Sequence, residues 1–209
     1  MAYFQRFICD FNMLISFGLV IFSLILALVL KKPTNVLRFV AMTFGFLGDL
    51  ALAFYILGPH SFLWGVAFFI ICHVFYFLSY KKEIKNLFNK GFWIGETIIL
   101  LFIIGLIIVS CLYPYPEPYS YFKLGICIFY GLIIGFVCSA VTACAYEKRS
   151  FLSILNVIGI ISFIISDFII GIGMMSSLHI SRLIWIFYPI GQFLLILDWN
   201  KKGEDKTKV

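Results

Sequence analysis

Two aspartates stand where only hydrocarbon is expected. Asp49 lies in Phe44-Gly45-Phe46-Leu47-Gly48-Asp49-Leu50-Ala51-Leu52-Ala53-Phe54, and no other charged residue occurs from Phe39 to Leu57. Asp167 repeats the anomaly in Phe163-Ile164-Ile165-Ser166-Asp167-Phe168-Ile169-Ile170. An aspartate at the centre of a membrane-spanning helix costs about 2.5–3.5 kcal/mol on insertion scales, so it marks a functional site for which a partner should be sought. The expectation is that the two carboxyl groups meet inside a helical bundle. In a shared low-dielectric site, desolvation and mutual repulsion keep one protonated while the other ionises. Such a pair supplies a general acid and a general base, and it titrates as a unit, so the sequence does not say which is which.

Further polar groups fall within apolar runs. His73 and Tyr76 are three apart, so they share one helix face. Asn156, Ser162 and Ser166 precede Asp167, while Tyr188 and Gln192 are four apart with Pro189 between them. Lipid cannot satisfy such groups, so they are expected to face inward and to orient substrate or water. The plainer alternative is a hydrogen-bonded knot that only fixes helix packing; Ser166 in particular is a candidate to bond back to the carbonyl of Ser162. Metal chemistry is disfavoured because His60, His73 and His179 fall at different depths, and no metal is expected. No G-x-S-x-G elbow and no glycine-rich phosphate loop occurs.

The elements that must position these groups follow from composition. Of 209 residues, 63% are hydrophobic and 12% charged, against about a quarter charged in soluble domains. Runs of about 20 apolar residues are long enough to span a bilayer. Seven are expected, near 11–30, 37–57, 62–80, 92–112, 121–146, 151–175 and 181–199. They form a single transmembrane domain over 1–199, followed by a charged tail at 200–209. The first run has no small-residue cleavage motif and reads as a retained span rather than a signal peptide. With seven spans, thirteen of the sixteen Lys and Arg fall on one face, including Lys31, Lys32 and Arg38 counted as the first link. The excess predicts an outside N-terminus and a cytoplasmic C-terminus. The net charge of +6 is thereby accounted for, without basic tracts suited to nucleic acid. Tyr113, Tyr115, Tyr119 and Tyr121 read as an interfacial belt. Gly131-x-x-x-Gly135 reads as a face that admits a neighbouring helix. The six cysteines have no metal spacing and read as apolar filler, with Cys9–Cys111 the one pairing worth a check. No internal repeat is evident, although Gly48-Asp49 and Ser166-Asp167 invite comparison.

Four motifs in order resemble the YhhN-type transmembrane lysoplasmalogenase family: Gly48-Asp49 with Leu52, Phe69-x-x-x-His73-x-x-Tyr76, Gly159-x-x-x-Phe163-x-x-Ser166-Asp167, and Tyr188-x-x-x-Gln192-x-Leu194. The resemblance covers roughly residues 40–197. It implies hydrolysis of the vinyl ether bond of lysoplasmalogens to a fatty aldehyde and a glycerophospho-headgroup, without a cofactor and with a membrane lipid as the partner. It places the protein in the plasma membrane of a bacterium or an endomembrane of a eukaryote. Relatives usually show eight spans, one more than this sequence.

The expectation from sequence is therefore an all-α polytopic bundle in which Asp49 and Asp167 are catalytic. His73, Tyr76, Ser166, Tyr188 and Gln192 orient substrate or water. The rival is a transporter or receptor that uses buried carboxylates for proton or cation coupling. A metal-dependent intramembrane lipid hydrolase is a third reading, weakened by the histidine positions.

Overall fold

A computed structural model of the chain describes residues 2–53, 56–57, 60–112, 120–175 and 183–198. Seven helices and no strand occur among them: α1 (Ala2–Leu30), α2 (Pro33–Leu52), α3 (Ser61–Lys81), α4 (Lys90–Leu112), α5 (Ser120–Lys148), α6 (Phe151–Met175) and α7 (Ile184–Ile196). The first six are long and apolar enough to cross a membrane, so the chain is an integral multi-pass membrane protein. The described part of α7 is apolar but has only 13 residues. Gly58-Pro59, His179, Tyr113, Tyr115, Tyr119, the side chains of Cys9 and Tyr121, and the tail lie outside the described residues. Cys111 is a free thiol.

The second helix differs from expectation. It begins at Pro33 and ends at Leu52, four to five residues earlier than the hydropathy suggested. Proline at the first helical position loses no helical hydrogen bond and arrives with its φ preset, so it starts the helix directly after Lys32. Two consequences follow. Asp49 lies in the last turn of α2 rather than at its centre. Arg38 is a buried residue of α2 and not a loop cation.

The chain divides into two compact units, Met1–Glu83 with Ile196–Val209, and Ile84–Leu195. In the first, α2 packs against both α1 and α3. One end of this unit is tied by Arg38. Its Nη2 donates to Glu83 Oε1 (2.6 Å), its Nη1 to the Leu197 carbonyl (3.0 Å) and its Nε to Ser79 Oγ (3.1 Å), while the guanidinium lies 4.6 Å from the centre of the Tyr80 ring. Asp198 accepts from Lys32 Nζ at 3.1 Å. A charge this deep is tolerable because its hydrogen-bonding edges find partners and the Tyr80 ring covers a face of the guanidinium plane.

In the second unit α5 packs against α4 and α6. The Gly131-x-x-x-Gly135 face does admit a neighbour, which is α4: a Cβ on Gly135 would fall 2.9 Å from Ile99 Cγ2, and one on Gly131 would fall 3.3 Å from Ile103 Cγ1. Further along the seam the roles reverse. Gly91 and Gly95 of α4 face α5 so closely that a Cβ would meet the Thr142 carbonyl oxygen and the Ser139 Cα, the latter at 2.5 Å. Asn89 fixes where α4 begins, its Oδ1 accepting from the Gly91 amide (2.8 Å) and its Nδ2 donating to the Ala143 carbonyl (3.0 Å). Gly159 of α6 and Gly191 of α7 also meet backbone to backbone.

Candidate active site

Asp49 is buried, with 7% of its surface exposed, and its Oδ2 accepts a 2.5 Å hydrogen bond from Ser16 Oγ on α1. Gly48, beside it, is where α3 comes close: a Cβ there would lie 2.8 Å from the ring of Phe69. The space opened by this glycine is therefore filled by a neighbouring helix. One turn beyond Phe69 is His73, almost wholly buried, with Nδ1 2.6 Å from the Phe69 carbonyl. A carbonyl can only accept, so Nδ1 holds the proton and, in the neutral ring, Nε2 is the basic nitrogen. Tyr76 shares this face of α3, its hydroxyl 4.0 Å from Met42 Sδ. The first unit thus buries His73 and Tyr76 on one face of α3, as their spacing predicted, while the hydroxyl that holds Asp49 is that of Ser16 on α1.

Asp167 belongs to the second unit and is half-buried. The Tyr130 hydroxyl of α5 donates to its Oδ2 at 2.6 Å. Its neighbour Phe168 packs edge-on against Phe102 of α4, with ring centres 5.5 Å apart. Ser166 is fully buried, and its hydroxyl has no hydrogen-bond partner among the described residues, so the back-bond to the Ser162 carbonyl is not formed. A buried hydroxyl left unpaired is costly, and Ser61 of α3 is in the same condition. Tyr188 and Gln192 are brought together as their spacing predicted: Gln192 Nε2 donates to the Tyr188 hydroxyl at 3.3 Å. The Tyr188 ring lies 5.5 Å from that of Phe163. Asn156 donates to the Leu194 carbonyl at 2.6 Å and so joins α6 to α7.

Ser16 and Tyr130 escaped the sequence reading because a hydroxyl barely dents hydropathy. The available signal was that each lies on a helix preceding one that carries a lone aspartate. Glu96 of α4 was also missed; it is half-buried and accepts from Ser139 Oγ at 2.8 Å. It stands only six residues into the helix, where a carboxylate reads as part of the polar boundary. Among the described residues no three His, Cys, Asp or Glu side chains cluster as a metal site would require.

Chemically, the first unit holds a buried carboxyl group that accepts from a hydroxyl, an imidazole and a phenol, and the second unit holds a carboxyl group that accepts from a phenol, with a further phenol and an amide. These groups can donate and accept protons and can orient small oxygen-bearing groups. In comparisons with known proteins, the model of the family described as the YhhN family matches residues 11–199. No curated protein and no solved structure gives a significant match.

Proposed function

Because the chain belongs to the YhhN family, a lysoplasmalogenase-like family, we propose that it is an intramembrane hydrolase of lysoplasmalogen-like lysophospholipids. Its reaction cleaves the vinyl ether bond to give a fatty aldehyde and a glycerophospho-headgroup. The observation that carries this reading is the pair of carboxyl groups, Asp49 and Asp167, each set in an apolar helix and each held by a hydroxyl.

The chemistry needs little more than acid and base. One carboxyl group protonates the β carbon of the vinyl ether, giving an oxocarbenium ion. For the other, ionised, to stabilise the cation and take a proton from the water that attacks it, as paired carboxylates do at glycosidic bonds, both carboxyl groups must reach one substrate. The hemiacetal then collapses to aldehyde and alcohol, returning the proton balance to its start. His73, Tyr76, Ser166, Tyr188 and Gln192 orient the water and the glycerol oxygens. The substrate is a membrane lipid, and the chain lies with its N-terminus outside and its C-terminus in the cytoplasm.

Isotopes test the reaction itself. Purified protein in detergent, given lysoplasmalogen in D2O, should release aldehyde with one deuterium at the carbon next to the carbonyl. The saturated alkyl ether analogue should be left intact. Aldehyde without deuterium at that carbon, or equal cleavage of both ethers, would exclude protonation of the double bond.

A further inference from the structure

The helices repeat. α1 and α5 are both 29 residues long, and α5 begins and ends 118 residues after α1. The same offset carries the start of α2 at Pro33 to the start of α6 at Phe151. Each pair of helices is joined by two residues, Lys31-Lys32 and Arg149-Ser150. In each link the first residue is basic and left-handed, with φ of 51° for Lys31 and 49° for Arg149. Each of these residues donates its amide back to the preceding helix, Lys31 to the Ala27 carbonyl at 3.1 Å and Arg149 to the Ala145 carbonyl at 2.9 Å. A left-handed residue is a common way to end a helix, and Leu57 also has a positive φ (67°); what recurs here is the whole link, the same length, a basic first residue and the same amide bond at the same offset.

The offset also carries Asp49 onto Asp167. Along the second helix of each pair the buried positions coincide: Asn35 with Ser153, Arg38 with Asn156, and Met42 with Ile160. Each aspartate lies eighteen residues beyond its left-handed residue, about 27 Å of helix rise from the link. The hydroxyl partners differ by one turn. Tyr130 answers to position 12, and Ser16 lies four residues further on; the longer phenol side chain spans the difference. Asn12, at the place of Tyr130, is itself buried. The third helices extend the likeness. Phe69 and His73 of α3 are a buried pair four apart, as are Tyr188 and Gln192 of α7, at an offset of 119 residues and so one out of step with the other two helices.

We propose that α1–α2 and α5–α6 are two copies of one helical hairpin whose built-in device is an aspartate on the second helix held by a hydroxyl from the first. Ser16 and Tyr130 are accordingly the paired positioning residues of Asp49 and Asp167. Each engages Oδ2, which fixes the plane of the carboxyl group and presents Oδ1 in a set direction. In a low-dielectric surrounding these bonds hold more firmly than they would in water. That the positioning serves catalysis rests on the hydrolase reading above; that the device exists twice does not.

The test uses the full-length protein in detergent and two readouts. In protein carrying carboxyl-13C aspartate, the infrared carboxyl bands lost in Asp49→Asn and Asp167→Asn identify the two groups. Ser16→Ala should move the Asp49 band alone and Tyr130→Phe the Asp167 band alone. In the aldehyde-release assay each variant should lower kcat roughly ten- to a hundredfold, with KM within about twofold of wild type. A purely structural role would change thermal stability and KM instead. Bands that stay in place overturn the device, and unchanged kcat in an active enzyme overturns its positioning role. Should wild type release no aldehyde, the hydrolase reading fails, while the infrared bands still decide whether the repeated device is present.

Discussion

At the residue scale, the two aspartates stand out in the sequence because a charge inside a run of Phe, Leu and Ile is energetically conspicuous. What holds them does not stand out, since Ser16 and Tyr130 are ordinary residues in apolar helices until the fold brings each within 2.6 Å or less of a carboxyl group. Arg38 shows the opposite error. Its charge is legible, but a basic residue near the start of the expected span at 37–57 counts naturally with the cations of the preceding link, and only the helix start at Pro33 puts it a full turn inside α2. The structure gives Arg38 a consequence that can be measured. Its guanidinium holds Ser79, Glu83 and the Leu197 carbonyl together in a buried setting. Removing one member of a buried ion pair leaves the other charged and unpaired, at a cost of about 3–5 kcal/mol. Arg38→Met should therefore lower the thermal unfolding midpoint in detergent sharply, and Glu83→Gln should do so less, because the carbonyl and Ser79 remain. Equal, small effects would show that the knot contributes little.

At the scale of elements, most helix positions were legible. The end of α6 and the seam between α4 and α5 follow from apolar length and from Gly131-x-x-x-Gly135. The reciprocal pair Gly91 and Gly95 is not marked by the sequence, because Gly91 precedes the apolar run at 92–112 and Gly95 stands within it as an isolated small residue. The two halves of this seam should respond differently to added methyl groups. Gly95→Ala would drive a Cβ to 2.5 Å from the Ser139 Cα, which is backbone and cannot yield, so the helices must separate. Gly131→Ala meets only the tip of the Ile103 side chain, at 3.3 Å, which can turn aside. Gly18→Ala, on α1, meets nothing within 4 Å and gains helix propensity of up to about 1 kcal/mol. Thermal unfolding midpoints should rank Gly18→Ala at or above wild type, Gly131→Ala slightly below it, and Gly95→Ala lowest. A Gly95→Ala protein as stable as wild type would contradict the close approach described.

At the scale of the whole molecule, an integral membrane protein was evident from composition, whereas the repeat was not. The two aspartates hint at it in the sequence, but helix lengths and two left-handed link residues have no signature in residue type, since Lys31 and Arg149 look like any basic loop residues. The basic residues gathered at the ends of α1, α3 and α5 should lie in the cytoplasm. Single cysteines introduced at Lys31 and at Arg149, in a background lacking the native thiols, should be inaccessible to a membrane-impermeant maleimide in intact cells and labelled after permeabilisation. Labelling in intact cells would reverse the orientation. Repeated helical units are also an architecture of transporters, so the repeat alone does not choose between hydrolysis and transport. The choice falls to the two carboxyl groups. The most direct measurement is aldehyde release from lysoplasmalogen by purified wild type, Asp49→Asn and Asp167→Asn, each first shown to be folded by its thermal unfolding profile. The account predicts release by wild type and a loss of at least about a hundredfold in each variant, in line with the typical worth of a general acid or base. Release that is absent from wild type, or undiminished in both variants, would contradict it.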